Sequence, residues 1–99
     1  MKLYILEESA NPSKKFTAIR LNPTLKHIFF GAKRYEDFTT HKDEARKKAY
    51  ITRHKANEDW NNPDTAGFWS RWILWSEPTI DEAIKKTEKR FNIKIAKAF

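Results

Sequence analysis

The sequence contains no cysteine, only two glycines among its 99 residues, and no long apolar run. Without cysteine the chain cannot form a disulfide, a thiolate zinc site, an iron–sulfur cluster or a cysteine nucleophile. Gly31 and Gly67 stand far apart, so no glycine-rich loop is present to cradle a phosphate. No stretch approaches the ~18 apolar residues of a membrane span, and the N-terminal apolar run is too short for a signal peptide. We therefore expect a soluble protein that is neither inserted into membranes nor secreted by the usual route.

Positive charge is in excess, but it is unevenly distributed. The formal net charge is +7, made up of +5 in residues 1–34, +2 in 35–56, −3 in 57–78 and +3 in 79–99. All four tryptophans lie in the acidic segment, where Arg71 is the only basic residue. A protein that stacks nucleic-acid bases on aromatic side chains interleaves them with Lys and Arg. The tryptophans are therefore predicted to serve mainly in the structure of the protein and not as stacking platforms for bases.

The N-terminal third has the alternation of β-strands. Strands are predicted over Lys2–Leu6, Lys15–Leu21 and Lys26–Phe30, with a turn at residues 22–24 between the last two. In the last of them Ile28 shares one face with Phe30. These three strands predict an antiparallel hairpin or a three-stranded sheet.

The rest of the chain has helical periodicity. A first helix is predicted from His41 to Ala56, opened by the capping box Thr40-x-x-Asp43. A second, rich in tryptophan, is predicted over Thr65–Trp75, and a third begins at the capping box Thr79-x-x-Glu82 and ends near Asn92. Three helices should therefore follow the strands, with the tryptophan helix at the centre.

These elements predict one α+β domain over residues 1–99. It comprises a β region (1–34), a helical region (35–91) and a C-terminal segment (92–99) that forms either a fourth strand or a tail.

The predicted core is built mainly from the tryptophan helix and the helix after it. Gly67 within the helical pattern suggests a close helix crossing, and Tyr35 and Phe38 are predicted to anchor the loop that follows the strands. The residues assigned to the core are Trp60, Phe68, Trp69, Trp72, Trp75, Ile80, Ile84 and Phe91.

Basic residues on the first helix and the hairpin form the candidate binding surface. They are either a solvated helix face or an electrostatic surface that contacts phosphates or an acidic protein. The sequence does not predict the oligomeric state. The candidate surface consists of Lys14, Lys15, Lys33, Arg34, Lys42, Arg46, Lys47, Lys48, Arg53 and Lys55.

No arrangement of residues predicts catalysis. A metal-dependent nuclease would need carboxylates or histidines that converge on an ion. His41 and His54, thirteen residues apart on one predicted helix, would point about 220° apart and could not share a metal. We expect no cofactor, no metal site and no enzymatic activity, with a nuclease as the remote alternative.

A long motif string resembles a family of small proteins of unknown activity encoded by large nucleocytoplasmic DNA viruses. The resemblance covers about residues 11–91. Its motifs are Gly31-Ala32-Lys33-x-Tyr35-x-Asp37-Phe38-Thr39-x-His41-Lys42-Asp43, Tyr50-Ile51-x-Arg53-His54-Lys55 and Thr65-Ala66-Gly67-Phe68-Trp69-Ser70-Arg71-Trp72-x-Leu74-Trp75.

The resemblance implies a role in a virus particle. Such viruses build large capsids that contain small basic proteins, and they also package basic proteins with the genome. It thus implies a minor capsid or capsid-associated protein, located in the virion and in the host cytoplasm during assembly, with capsid proteins as partners. Sequence-nonspecific nucleic-acid binding is the alternative.

Overall fold

The computed structural model describes residues 1–99 and contains a single four-stranded sheet. Strands β1 (Leu3–Glu8), β2 (Lys14–Arg20) and β3 (Lys26–Ala32) are antiparallel neighbours. The register pairs Leu6 with Ala18 and Ala18 with Ile28, so these side chains point to one face. The predicted three-stranded sheet and the α+β class are confirmed.

The C-terminal segment forms a fourth strand rather than a tail. Strand β4 (Lys94–Lys97) runs parallel to β1, which places β1 inside the sheet in the order β3-β2-β1-β4. The side chains of Ile93 and Ile95 are buried, so burial of apolar surface favours the ordered strand.

The predicted helix from His41 to Ala56 is confirmed as α2 (Glu44–His54), which begins three residues later than predicted. A separate short helix, α1 (Phe38–His41), precedes it and was not predicted, and Lys42 between the two has the left-handed conformation at φ 55°. Asp43, predicted as the end of a capping box, is itself the N-cap and accepts hydrogen bonds from Ala45 N and Arg46 N. The chain breaks between the two helices because Lys42 ends α1 in the left-handed conformation and Asp43 then starts α2 as its N-cap.

The predicted tryptophan helix changes its hydrogen-bonding pattern halfway. Helix α3 (Ala66–Trp69) begins at the N-cap Thr65 and continues into a π-helix (Ser70–Leu74), where Trp75 N donates to Ser70 O over 3.1 Å. Helix α4 (Ile80–Phe91) begins at Thr79, whose hydroxyl accepts from Glu82 N. The predicted N-cap is confirmed, but the Glu82 carboxylate accepts from the Thr79 hydroxyl and not from the Thr79 backbone N–H, so the reciprocal capping box is not formed.

The core lies between one face of the sheet and the tryptophan helix. Phe68 and Trp69 are fully buried and Ile84 is 7% exposed, while Trp72, Trp75, Ile80 and Phe91 are half-buried against them. Trp60 is half-buried outside this central cluster. On the opposite face of the sheet Phe29 is 39% exposed, whereas its neighbour Thr17 is buried. No helix has the length and apolarity needed to cross a bilayer.

Candidate functional site

A cleft of about 670 Å³ lies between the end of β3, helix α2 and helix α3, and we call it the docking cleft. Its floor is apolar, formed in part by the buried side chains of Phe30 and Leu74. Acidic and basic side chains line much of the rest of it. Those residues are Lys14, Lys15, Glu36, Asp37, Arg46, Arg53, His54 and Glu58.

Tyr50 attaches helix α2 to the core and forms one wall of the docking cleft. Its ring stacks on Trp75 at 4.4 Å between centroids with 2° between planes, and His54 stacks on it at 4.3 Å. Burial, with the nearby Glu58 carboxylate adding to it, raises the pKa of the Tyr50 hydroxyl. Tyr50 therefore stays neutral and serves as a packing residue.

Asp37 ties the hairpin to the helical region at the edge of the cleft. One carboxylate oxygen accepts from Lys15 Nζ at 2.5 Å, and the other accepts from Thr39 N at 3.0 Å as the N-cap of α1. The Asp37 side chain is 5% exposed and that of Lys15 is 19% exposed. This pair neutralises itself and leaves neither charge for a ligand.

Glu58 forms the adjacent wall of the docking cleft, and its side chain lies directly over Gly67. Its carboxylate meets His54 Nδ1 at 2.7 Å and accepts from Trp60 Nε1 at 2.9 Å. A Cβ atom at Gly67 would collide with Glu58 Oε2. Gly67 therefore permits the close approach of the Glu58 carboxylate. The predicted close helix crossing at Gly67 is wrong.

Gly67→Ala should destabilise the protein by about 1 kcal/mol, although Ala in a helix normally stabilises by up to about that amount over Gly. The new methyl group displaces Glu58 from two hydrogen bonds, each worth about 1 kcal/mol or more. In a Glu58→Ala background the same change should become stabilising. Urea unfolding of the four proteins measures this cycle. Equal losses in both backgrounds would show that the carboxylate is not what excludes a side chain.

The ten basic residues predicted as one surface fall into separate places. Lys14, Lys15, Arg46 and Arg53 line the docking cleft. The Lys47 ammonium points away from it and donates to Ser76 O at 2.7 Å, and Lys42 Nζ donates to Thr39 O. The remaining members are exposed: Lys33, Arg34, Lys48 and Lys55.

The cleft is also lined by Tyr35 and Glu36, which are not among the residues predicted for the candidate surface. Tyr35, predicted as an anchor, is 69% exposed, whereas Phe38 is buried as expected. Glu36 lies 3.8 Å from Arg46 and is the only carboxylate paired with it. Tyr35 directly follows the exposed pair Lys33 and Arg34 in a turn, and that position was the sequence signal for its exposure.

No group of three or more His, Cys, Asp or Glu side chains is arranged to hold a metal ion. His41 and His54 lie on different helices, so the geometric argument from one helix no longer applies to them. His41 Nδ1 accepts from Asp43 N at 2.9 Å, and His54 pairs with Glu58. Each imidazole thus has one structural partner, while His41 Nε2 is buried without a hydrogen bond.

Comparison with known proteins gives one match. A family model described as a family of unknown function (DUF5754) matches residues 4–54, which span β1 to the end of α2 and slightly more than half of the chain. Neither the curated proteins nor the solved structures contain a match.

Proposed function

We propose that this chain, which belongs to the DUF5754 family of unknown function, is a non-enzymatic, protein-binding component of a virus particle. In this proposal its docking cleft receives an acidic segment of a capsid protein. The observation that carries the proposal is an apolar floor beneath a mouth with unpaired cations.

The charges at the mouth specify the partner's chemistry. Lys14 and Arg53 have no carboxylate partner, and the 3.8 Å contact between Arg46 and Glu36 joins two side chains that are each more than half exposed. Such an exposed pair contributes little. A segment with carboxylates around one apolar side chain would satisfy both the rim and the floor, because buried apolar anchors supply affinity and rim charges supply orientation.

The resemblance to proteins of large nucleocytoplasmic DNA viruses supports the particle as the setting. Capsid subunits in such particles need small adhesive proteins, and a chain with a net charge of +7 is suited to acidic surfaces. The virion location therefore rests on the resemblance and the binding chemistry on the cleft.

The test of this role is incorporation into particles. Lys14→Glu combined with Arg53→Glu should reduce the amount of the protein in gradient-purified particles by about tenfold or more, since the rim would then repel carboxylates. A matched control, Lys26→Glu with Lys85→Glu, makes the same change of charge at exposed positions outside the cleft.

Cross-linking mass spectrometry on the same particles identifies the neighbour. Cross-links from Lys14 should concentrate on one capsid subunit, near acidic residues. Absence of the wild-type protein from purified particles, or equal loss of both double variants, would contradict the proposal.

Sequence-nonspecific nucleic-acid binding is the second candidate, and the unpaired, exposed Lys48 and Lys55 favour it. If it applies, Lys48→Glu with Lys55→Glu should weaken binding to all oligonucleotides alike and reduce the slope of log K against log salt by about two. Salt titration by fluorescence anisotropy measures both effects. An unchanged slope would exclude this surface.

A further inference from the structure

A second cleft, of about 450 Å³, lies between the π-helix, the turn after it and helix α4, and it shares no lining residue with the docking cleft. We call it the arginine cleft. Five cationic side chains line it against a single carboxylate, that of Glu77. The cations are Lys47, Arg71, Lys86, Lys89 and Arg90.

Two of these cations converge on one indole. The guanidinium carbons of Arg71 and Arg90 each lie 4.4 Å from the centre of the Trp72 ring. Trp72 is itself held in place, because its Nε1 donates to Trp60 O at 2.7 Å. With guanidinium groups over its ring, Trp72 is not a free platform for a stacked base, and the cleft presents charge instead.

Neither arginine is neutralised by the chain. Arg71 and Arg90 form no salt bridge, and Glu77 pairs with Lys86 at 3.0 Å. Arg71 Nη1 donates to Trp75 O at 2.9 Å, but its Nε is buried without a partner. Burial, with the nearby Arg90 adding to it, lowers the pKa of Arg71. Like charges held together in partial burial cost free energy that a bound anion would offset.

The backbone beside the cleft is also unusual. Arg71 and Trp72 lie within the π-helix, a form that is rare and frequently found at functional sites. Its i to i+5 hydrogen bond, from Trp75 N to Ser70 O, accompanies the bond that Arg71 makes to the Trp75 carbonyl. The local backbone thus holds this guanidinium beside the cleft.

We propose that the arginine cleft binds a phosphate group through Arg71, Arg90 and Lys89. Guanidinium groups match the geometry of phosphate oxygens, and the cleft offers two of them with a nearby ammonium. The phosphate comes either from a small phosphorylated molecule or from a nucleic-acid backbone. This site is independent of the docking cleft and of the proposed role in the particle.

The experiment titrates the intact 99-residue protein with inorganic pyrophosphate and, separately, with a short single-stranded oligonucleotide. The reporter is the NMR resonance of the Trp72 indole N–H, assigned with a Trp72→Phe variant, because that ring touches both arginines. Arg90→Glu is compared with Lys85→Glu, which makes the same change of charge on an exposed residue of the same helix outside the cleft. Arg90→Gln tests loss of the charge without reversal, and Arg90→Lys tests rescue.

We expect pyrophosphate to shift the Trp72 resonance, with affinity reduced about tenfold or more by Arg90→Glu and by less than about twofold by Lys85→Glu. Arg90→Lys keeps the charge but not the planar guanidinium, so it should recover only part of the affinity lost in Arg90→Gln. If the oligonucleotide shows the same pattern, the phosphate is that of a nucleic-acid backbone; if it does not, the ligand is a small phosphorylated molecule. No shift at Trp72 with millimolar pyrophosphate, or equal weakening by both charge reversals, would overturn the proposal.

Discussion

Trp69→Ala should lower the free energy of unfolding by about 3–5 kcal/mol, the largest effect of any single substitution considered for this protein. Trp69 is fully buried at the centre of the core. Its ring lies 5.0 Å from that of Tyr4 and 5.3 Å from that of Phe68, and its Nε1 donates to Pro63 O at 2.8 Å. The substitution therefore leaves a cavity between sheet and helix and also a carbonyl without its donor.

Denaturant unfolding followed by far-ultraviolet circular dichroism measures this loss without depending on tryptophan fluorescence. Trp69→Phe, which keeps an aromatic ring, should cost less and provides a folded variant if the alanine protein does not fold. Leu25→Ala is the control, since Leu25 is 66% exposed and should change stability by less than about 0.5 kcal/mol. A loss at Trp69 no greater than the loss at Leu25 would place the tryptophan outside the core.

The second large effect is expected at Asp37. Asp37→Ala should cost about 2–4 kcal/mol, because it removes an N-cap and leaves the Lys15 ammonium largely buried without its partner. The hairpin and helix α1 would lose a direct polar link between them.

Asp43→Ala is the matched control for Asp37→Ala. Asp43 is also an N-cap, and its side chain accepts from two backbone N–H groups, but it is exposed and forms no salt bridge. Its loss should therefore cost only about 1 kcal/mol. Comparing denaturant midpoints of the two variants separates capping from the buried ion pair. Equal losses at the two positions would mean that the pair with Lys15 contributes nothing.

Several elements could be predicted because their signals are local. Alternating side chains predicted β2 and β3, and the Thr79 capping box with its apolar stripe predicted α4. A polar cap and an alternation of faces depend on neighbours within a few residues, so the sequence carries them directly. The start of α2 was harder to predict because Thr40 and Asp43 both have side chains that can cap a helix. Only the structure shows that Asp43 is the N-cap.

The binding surface could be predicted only in part. A list of basic residues cannot show that Lys15 is neutralised by Asp37, 22 positions away, or that Lys47 points toward Ser76. The docking cleft is formed between α2 and the end of the hairpin, and the stack of Tyr50 on Trp75 fixes α2 to the tryptophan helix on the other side.

By itself, the sequence determined the α+β class, the order of the strands and helices, the cap of α4 and the exclusion of cysteine chemistry. Only the tertiary structure decided that β4 pairs with β1, that the tryptophan helix ends in a π-helix, and that Arg90 joins Arg71 on Trp72. The physical reason is the distance along the chain over which each kind of interaction acts. Periodicity and capping act between near neighbours, whereas both clefts are formed by side chains from separate elements that become adjacent only when the core closes around Trp69.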